Sequence, residues 1–220
     1  MSIFSHIVLF FQRGGYMMYP IAVVLVVGLA IAVERWIYLT VTAVGNRTLW
    51  NEISPLLAQG NFRQAVQLTS KSTAAIGQIL SYGLARIASA RRREDIEKAM
   101  EESLMDIMPR LEKRTHYIAT FANIATLLGL LGTVIGLINA FAAVATVNPA
   151  EKANLLSASI SVAMNCTAFG LITAVPLLLI HAVLQTKTTE LIDSLEMASV
   201  KFLNAVTERP QTAPAAPAAA

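Results

Sequence analysis

The residues best placed to do chemistry lie in the run TLLGLLGTVIGLINAF, residues 126–141. Three glycines and two threonines interrupt an otherwise oily stretch. Glycine weakens a helix by about 1 kcal/mol relative to alanine, so leucine would serve a plain membrane crossing better. At 100° per residue, Thr126, Gly129, Gly132, Thr133, Gly136 and Ala140 share about a third of a helix circumference, and Leu127, Leu131, Val134, Ile135 and Ile138 cover most of the rest. A second arc recurs downstream, where Ala163, Thr167, Gly170, Ala174, His181 and Gln185 fall together, with Pro176 nearby. Two readings are open. Small-xxx-small pairs such as Gly132 and Gly136 let helices pack closely. Two small faces, each with a central hydroxyl, would also suit a narrow polar path. Asn165 and Cys166 add polarity beside Thr167.

The stretches carrying these residues are long and uncharged. No Asp, Glu, Lys or Arg occurs from Thr115 to Ala150, nor from Ala153 to Thr186. A crossing of ~30 Å of hydrocarbon needs only about 20 such residues. Thr133 and Thr167 each fall near the middle of their stretch, so two antiparallel spans would hold them at similar depth. A third apolar run, MMYPIAVVLVVGLAIAV, ends at Glu34 and Arg35, with Trp36 and Tyr38 as interface anchors. His181 lies toward one end of its stretch and, with Gln185, reads as a mouth residue. No acid lies inside the second or third span, so any central proton carrier must come from another chain.

Composition agrees with a membrane protein. Of 220 residues, 55% are hydrophobic and 14% charged, and the mean hydropathy is +0.57; soluble domains carry about 25% charged residues. The net charge of +3 and the scatter of basic residues exclude a nucleic-acid footprint. A single cysteine excludes an internal disulfide, and no metal or cofactor motif is present. No GxSG motif or placed Ser–His pair suggests an intramembrane hydrolase.

The expected fold is all-α: three transmembrane helices with long cytoplasmic helical extensions. Residues 1–15 read as an amphipathic surface helix rather than a cleavable leader. Residues 16–42 form the first span, 43–114 a cytoplasmic helical domain, and 115–147 the second span. Residues 148–154 form a periplasmic turn, 155–186 the third span, 187–209 a cytoplasmic helix and 210–220 a disordered tail. Orientation follows from Lys and Arg, since residues 43–114 carry eleven of the seventeen and the 148–154 turn only Lys152. That places the N-terminus in the periplasm and the C-terminus in the cytoplasm. Within the loop, helical spacing of Ile96, Met100, Leu104, Ile107, Met108 and Leu111 predicts a helix kinked at Pro109 that continues into the second span. Glu34 is expected to pair with Arg35 or with the loop.

LEKRTHYIATFANIATLLGLLGTVIGLINAF followed by SISVAMNCTAFGLITAVPLLLIHAVL resembles the MotA/TolQ/ExbB proton channel family, and three spans with a loop of this length are most similar to ExbB and TolQ. The resemblance covers most of residues 17–200. It implies a homopentameric ring in the inner membrane, with the second and third spans lining a pore. Inside the pore would sit a dimer of a single-span ExbD/TolR-like partner whose aspartate carries the proton, with a TonB/TolA-like protein downstream. The family's pore threonines map onto Thr133 and Thr167. It implies no enzyme activity and no cofactor. Two positions depart from the pattern. Val162 stands where these relatives usually carry glutamate, and Thr126 where they carry proline. The competing reading is a non-conducting membrane scaffold, in which the small faces only pack helices.

Overall fold

The structure, a computed structural model, describes residues 14–87 and 92–207. The expected surface helix at 1–15 and tail at 210–220 thus lie almost wholly outside the described residues. Among the described residues six helices follow in order: α1 (Met18–Ala58), α2 (Phe62–Lys71), α3 (Ala75–Ile87), α4 (Arg93–Glu112), α5 (Thr115–Thr146) and α6 (Lys152–Thr207). No strand occurs among the described residues. Among the described residues three stretches, in α1, in α5 and in α6, are long and apolar enough to cross a membrane. The chain divides into two compact units.

The first unit comprises residues up to Trp36 and Lys113–Thr186. Its helices bury mostly small residues at helical spacing, with Ile118 and Leu177 among the large exceptions. On α5 these are Ile118, Ala122, Ala125, Gly129, Gly132 and Ala140. On α6 they are Ala163, Cys166, Gly170, Ala174 and Leu177. Large hydrophobic side chains point outward instead, including Leu127, Val134, Ile138, Phe141, Met164, Ile172 and Leu179. Outward leucines and inward glycines invert the soluble pattern, as a lipid environment allows. The first part of α1 packs against α6, where a Cβ on Gly28 would lie 3.0 Å from Leu177 Cδ1.

The expected continuous helix through Pro109 is corrected in one respect. Pro109 lies inside α4, and the break comes later, at Lys113–Arg114. Arg114 has φ of 67°, the left-handed region, which costs a non-glycine residue about 1 kcal/mol or more. Its side chain donates to Glu34 Oε1 at 2.6 Å, so the backbone turn coincides with an ion pair to the end of the first span. Of the two expected partners, Glu34 pairs with the loop, through Arg114.

The second unit comprises Ile37–Glu112 and the chain from Lys187 onward. Its core holds Ile53, Ile79, Leu80, Leu111, Leu195 and Phe202, all nearly inaccessible. The turn from α1 into α2 uses Gly60 at φ +73°, with Gly60 N–H donating to Leu57 O and Asn61 N–H to Leu56 O. This is the glycine-ended helix stop that satisfies the last carbonyls. Asn61 then caps α2 by accepting from Gln64 N–H. The start of α3 is capped from a distance: Ile76 N–H donates to Asn46 Oδ1 at 3.1 Å. Arg93, at the head of α4, donates to Asn204 Oδ1 near the end of α6 at 2.8 Å.

Candidate functional site

The site is built where α5 and α6 cross. A Cβ on Gly129 would meet Gly170 Cα at 3.2 Å and Thr167 Cα at 3.3 Å. One on Gly170 would come to 2.7 Å from Ala125 O. The two backbones touch here because Gly129 and Gly170 have no side chains to hold them apart. On one side of the crossing Gly132 faces Cys166, and Gly136 faces Ala163. This antiparallel register brings Gly129, Gly132, Gly136, Ala163 and Gly170 into one seam, with Ala174 buried further along α6. The seam assigns these small residues to packing within the chain.

The hydroxyls occupy three different settings. Thr167 Oγ1 donates across the seam to Gly129 O at 2.8 Å. That bond is possible only because α5 has no Cβ at 129. Thr133 is partly exposed at the seam's edge and donates to Leu130 O, within its own helix, at 2.6 Å. Thr126 lies on an exposed face and donates to Ala122 O at 3.2 Å. The register sets Thr133 and Thr167 within about two residues of the same level, or ~3 Å at ~1.5 Å per residue. Asn165 is half-buried beside Thr167, His181 is half-buried, and Gln185 is exposed.

Two features escape a reading of small-residue arcs. Thr173 is completely buried, and its hydroxyl has no partner. Its only sequence signal is adjacency to Ala174 on the inward arc. Next to the seam lies a cavity of about 170 Å³, with Asn139, Ser159, Val162 and Cys166 on its wall. A side chain at 162 therefore borders a pocket that already holds an amide and a hydroxyl. Gly15, at φ +74°, closes toward Val162, where a Cβ would lie 3.2 Å from Val162 Cγ1.

A threonine hydroxyl has one donor and two acceptor sites. Thr126, Thr133 and Thr167 all direct the donor to a backbone carbonyl, which leaves them acceptors. In this arrangement they can accept from a protonated carboxyl or from water. To stabilise a carboxylate, Thr133 must turn its proton away from Leu130 O. Among the described residues no group of three or more His, Cys, Asp or Glu could hold a metal ion.

A sequence model of the MotA/TolQ/ExbB proton channel family matches residues 71–197, which takes in both seam helices up to Met197. The chain belongs to this family. It is 26% identical over 198 residues to an ExbB biopolymer-transport homolog of Methanothermobacter thermautotrophicus, covering 89% of this chain and 69% of that one. It is 29% identical over 153 residues to a biopolymer transport protein of the ExbB type from Vibrio cholerae, covering 63% and 66%. With the ExbB biopolymer transport protein of Pseudomonas putida it shares 26% over 172 residues, covering 73% of this chain and 52% of that one. The chain thus spans between half and about two thirds of the length of these ExbB relatives. The MotA/TolQ/ExbB match and the three apolar helices make it a multi-pass membrane protein of a transport family.

Proposed function

We propose that the protein is the channel-forming subunit of an inner-membrane, proton-driven energiser of the ExbB/TolQ type. Five copies form a ring, with the N-terminus periplasmic and the C-terminus cytoplasmic. Its α5 and α6 line a pore that holds a dimer of single-span, ExbD/TolR-like helices bearing an aspartate. Proton movement through that carboxyl does work on a TonB/TolA-like protein, for outer-membrane transport or a related Tol or motility process. The observation that carries this reading is the pair Thr133 and Thr167, level with each other in charge-free spans of a MotA/TolQ/ExbB chain. A buried carboxylate is costly in hydrocarbon, and hydroxyls at its depth lower that cost. Asn165 and Thr126 add polar groups to the path, and His181 and Gln185 stand toward its cytoplasmic mouth.

The test is ion flux into vesicles holding the chain with its single-span partner. Thr133→Val is expected to cut flux on the order of tenfold to a hundredfold while the complex still assembles, whereas Thr133→Ser retains it. Comparing proton with sodium gradients identifies the ion, which matters because Val162 replaces the usual glutamate. A non-conducting scaffold is the second reading, favoured by the seam, where small residues are occupied in packing. Full flux in Thr133→Val together with loss of assembly in Thr167→Val decides for the scaffold.

A further inference from the structure

The second unit carries two features of opposite charge that its own core does not use. The first is the outer face of α4. Between Glu94 and Asp106 it exposes six acids against one base, Lys98. Glu97, Glu101 and Met105 recur at four-residue spacing and so form one ridge. Met105 is 61% exposed, an apolar side chain standing among carboxylates. The second feature is a cavity of about 500 Å³ between α1 and α6. Arg47, Lys187 and Lys201 stand on its wall against Glu190, an excess of positive charge. Val44 and Leu191 lie on the same wall, and Val44 is likewise 61% exposed. Among the described residues, the side chains of Glu97, Glu101, Arg47 and Lys201 form no ion pair or hydrogen bond within the chain.

The two features also lie at one height. Arg93 at the head of α4 donates to Asn204 of α6, which levels these two residues. From that level α4 runs toward the apolar stretch of α5, and α6, read backward, runs toward its own. At ~1.5 Å per residue, Glu97 to Met105 fall about 6–18 Å along, and Lys201 to Lys187 about 5–26 Å. Copies inserted in one membrane share an orientation, so rotation about the membrane normal relates them, and rotation changes no height. A contact between copies must therefore join patches at the same level. Two unlike patches make a head-to-tail contact, the kind that closes a ring.

We propose that the ridge of Glu97, Glu101 and Met105 in one copy docks on the α1–α6 cavity of the next. Met105 enters beside Val44 and Leu191, while Glu101 and Glu97 face Arg47 and Lys201. The occupant of the cavity is a second copy of this chain. The proposal rests on the ring proposed above and names its cytoplasmic contact; whether ions pass does not enter it.

The experiment uses the full chain made with its single-span partner, with Cys166→Ala removing the sole cysteine. Val44→Cys and Met105→Cys together are expected to give, on mild oxidation in membranes, a ladder of disulfide-linked oligomers extending above the dimer. Either cysteine alone is expected to stay monomeric. Glu97→Arg with Glu101→Arg, or Arg47→Glu with Lys201→Glu, is expected to lower the yield of the ladder on the order of tenfold, because like charges then meet. All four changes together put opposite charges back across the contact and are expected to return most of the yield. Absence of a ladder, while native mass spectrometry still finds several copies per complex, overturns the docking and leaves the ring standing. Single-copy complexes overturn both. Cross-linked dimers of either single-cysteine chain overturn the docking, since like faces then meet. So does a yield that the reversals leave unchanged, or that the four changes together fail to recover. Shielding of Val44→Cys from a maleimide that is lost without the single-span partner gives the cavity to that partner, and likewise overturns it.

Discussion

Thr133 and Thr167 carry the same functional group at nearly the same level, yet they do different work. Thr167 joins two helices through Gly129 O; Thr133 is turned toward its own backbone and is partly exposed. Replacing each by valine separates those roles. Thr133→Val removes a hydrogen bond available to a charged group, worth about 1.5–3 kcal/mol, so flux with the partner present is expected to fall on the order of tenfold to a hundredfold. Its thermal stability in detergent is expected to stay near that of the parent. Thr167→Val loses an interhelical bond worth about 0.6 kcal/mol in a membrane protein, and is expected to melt slightly lower. Both threonines and their common depth are legible in the sequence, because uncharged runs mark the membrane and their midpoints mark its centre. The acceptor of each hydroxyl is not, since nothing in the spacing of Thr167 points to a carbonyl on another helix.

At the level of elements, the seam explains why glycine recurs at 129 and 170. Gly170→Ala is expected to destabilise the protein by about 1–3 kcal/mol, because its Cβ would meet backbone rather than a yielding side chain. Gly45→Ala is the contrast. It lies inside α1 with nothing within 4 Å of the added Cβ, and is expected to stabilise by about 0.5–1 kcal/mol. Thermal melting of both variants in the same detergent checks the pair. Periodicity reveals which residues of α5 and α6 are small, but two readings fit that arc equally well; only the distances between backbones assign it to packing. The stop at Arg114 was hidden for another reason. Arginine seldom adopts a left-handed backbone, and the pairing with Glu34 joins residues 80 positions apart. Asn46 capping α3 is hidden in the same way, by 30 positions of intervening chain.

For the whole molecule, the outward leucines, isoleucines and valines of α5 and α6 must meet lipid, further copies or a partner helix. A ring of five predicts that the purified complex carries five copies of this 23.7 kDa chain, read by native mass spectrometry. A monomer with full activity would contradict the ring. The long helices were legible as spans with helical extensions, but not their full lengths. At ~1.5 Å per residue the 56 residues of α6 extend about 84 Å, far beyond ~30 Å of hydrocarbon. The Lys187 boundary marks a change of surroundings rather than a change of backbone.

The tight contact at Gly129 and Gly170 also bears on what an orphan subunit does to a cell. Backbone against backbone leaves no channel for a file of water between α5 and α6. Neither charge-free span offers a group that exchanges protons at neutral pH in its middle. A single copy therefore offers ions no path of its own along the seam. If cells overproducing this chain without its partner depolarise, as reported by a potential-sensitive dye, the leak runs through the unfilled centre of the proposed ring and not through the seam.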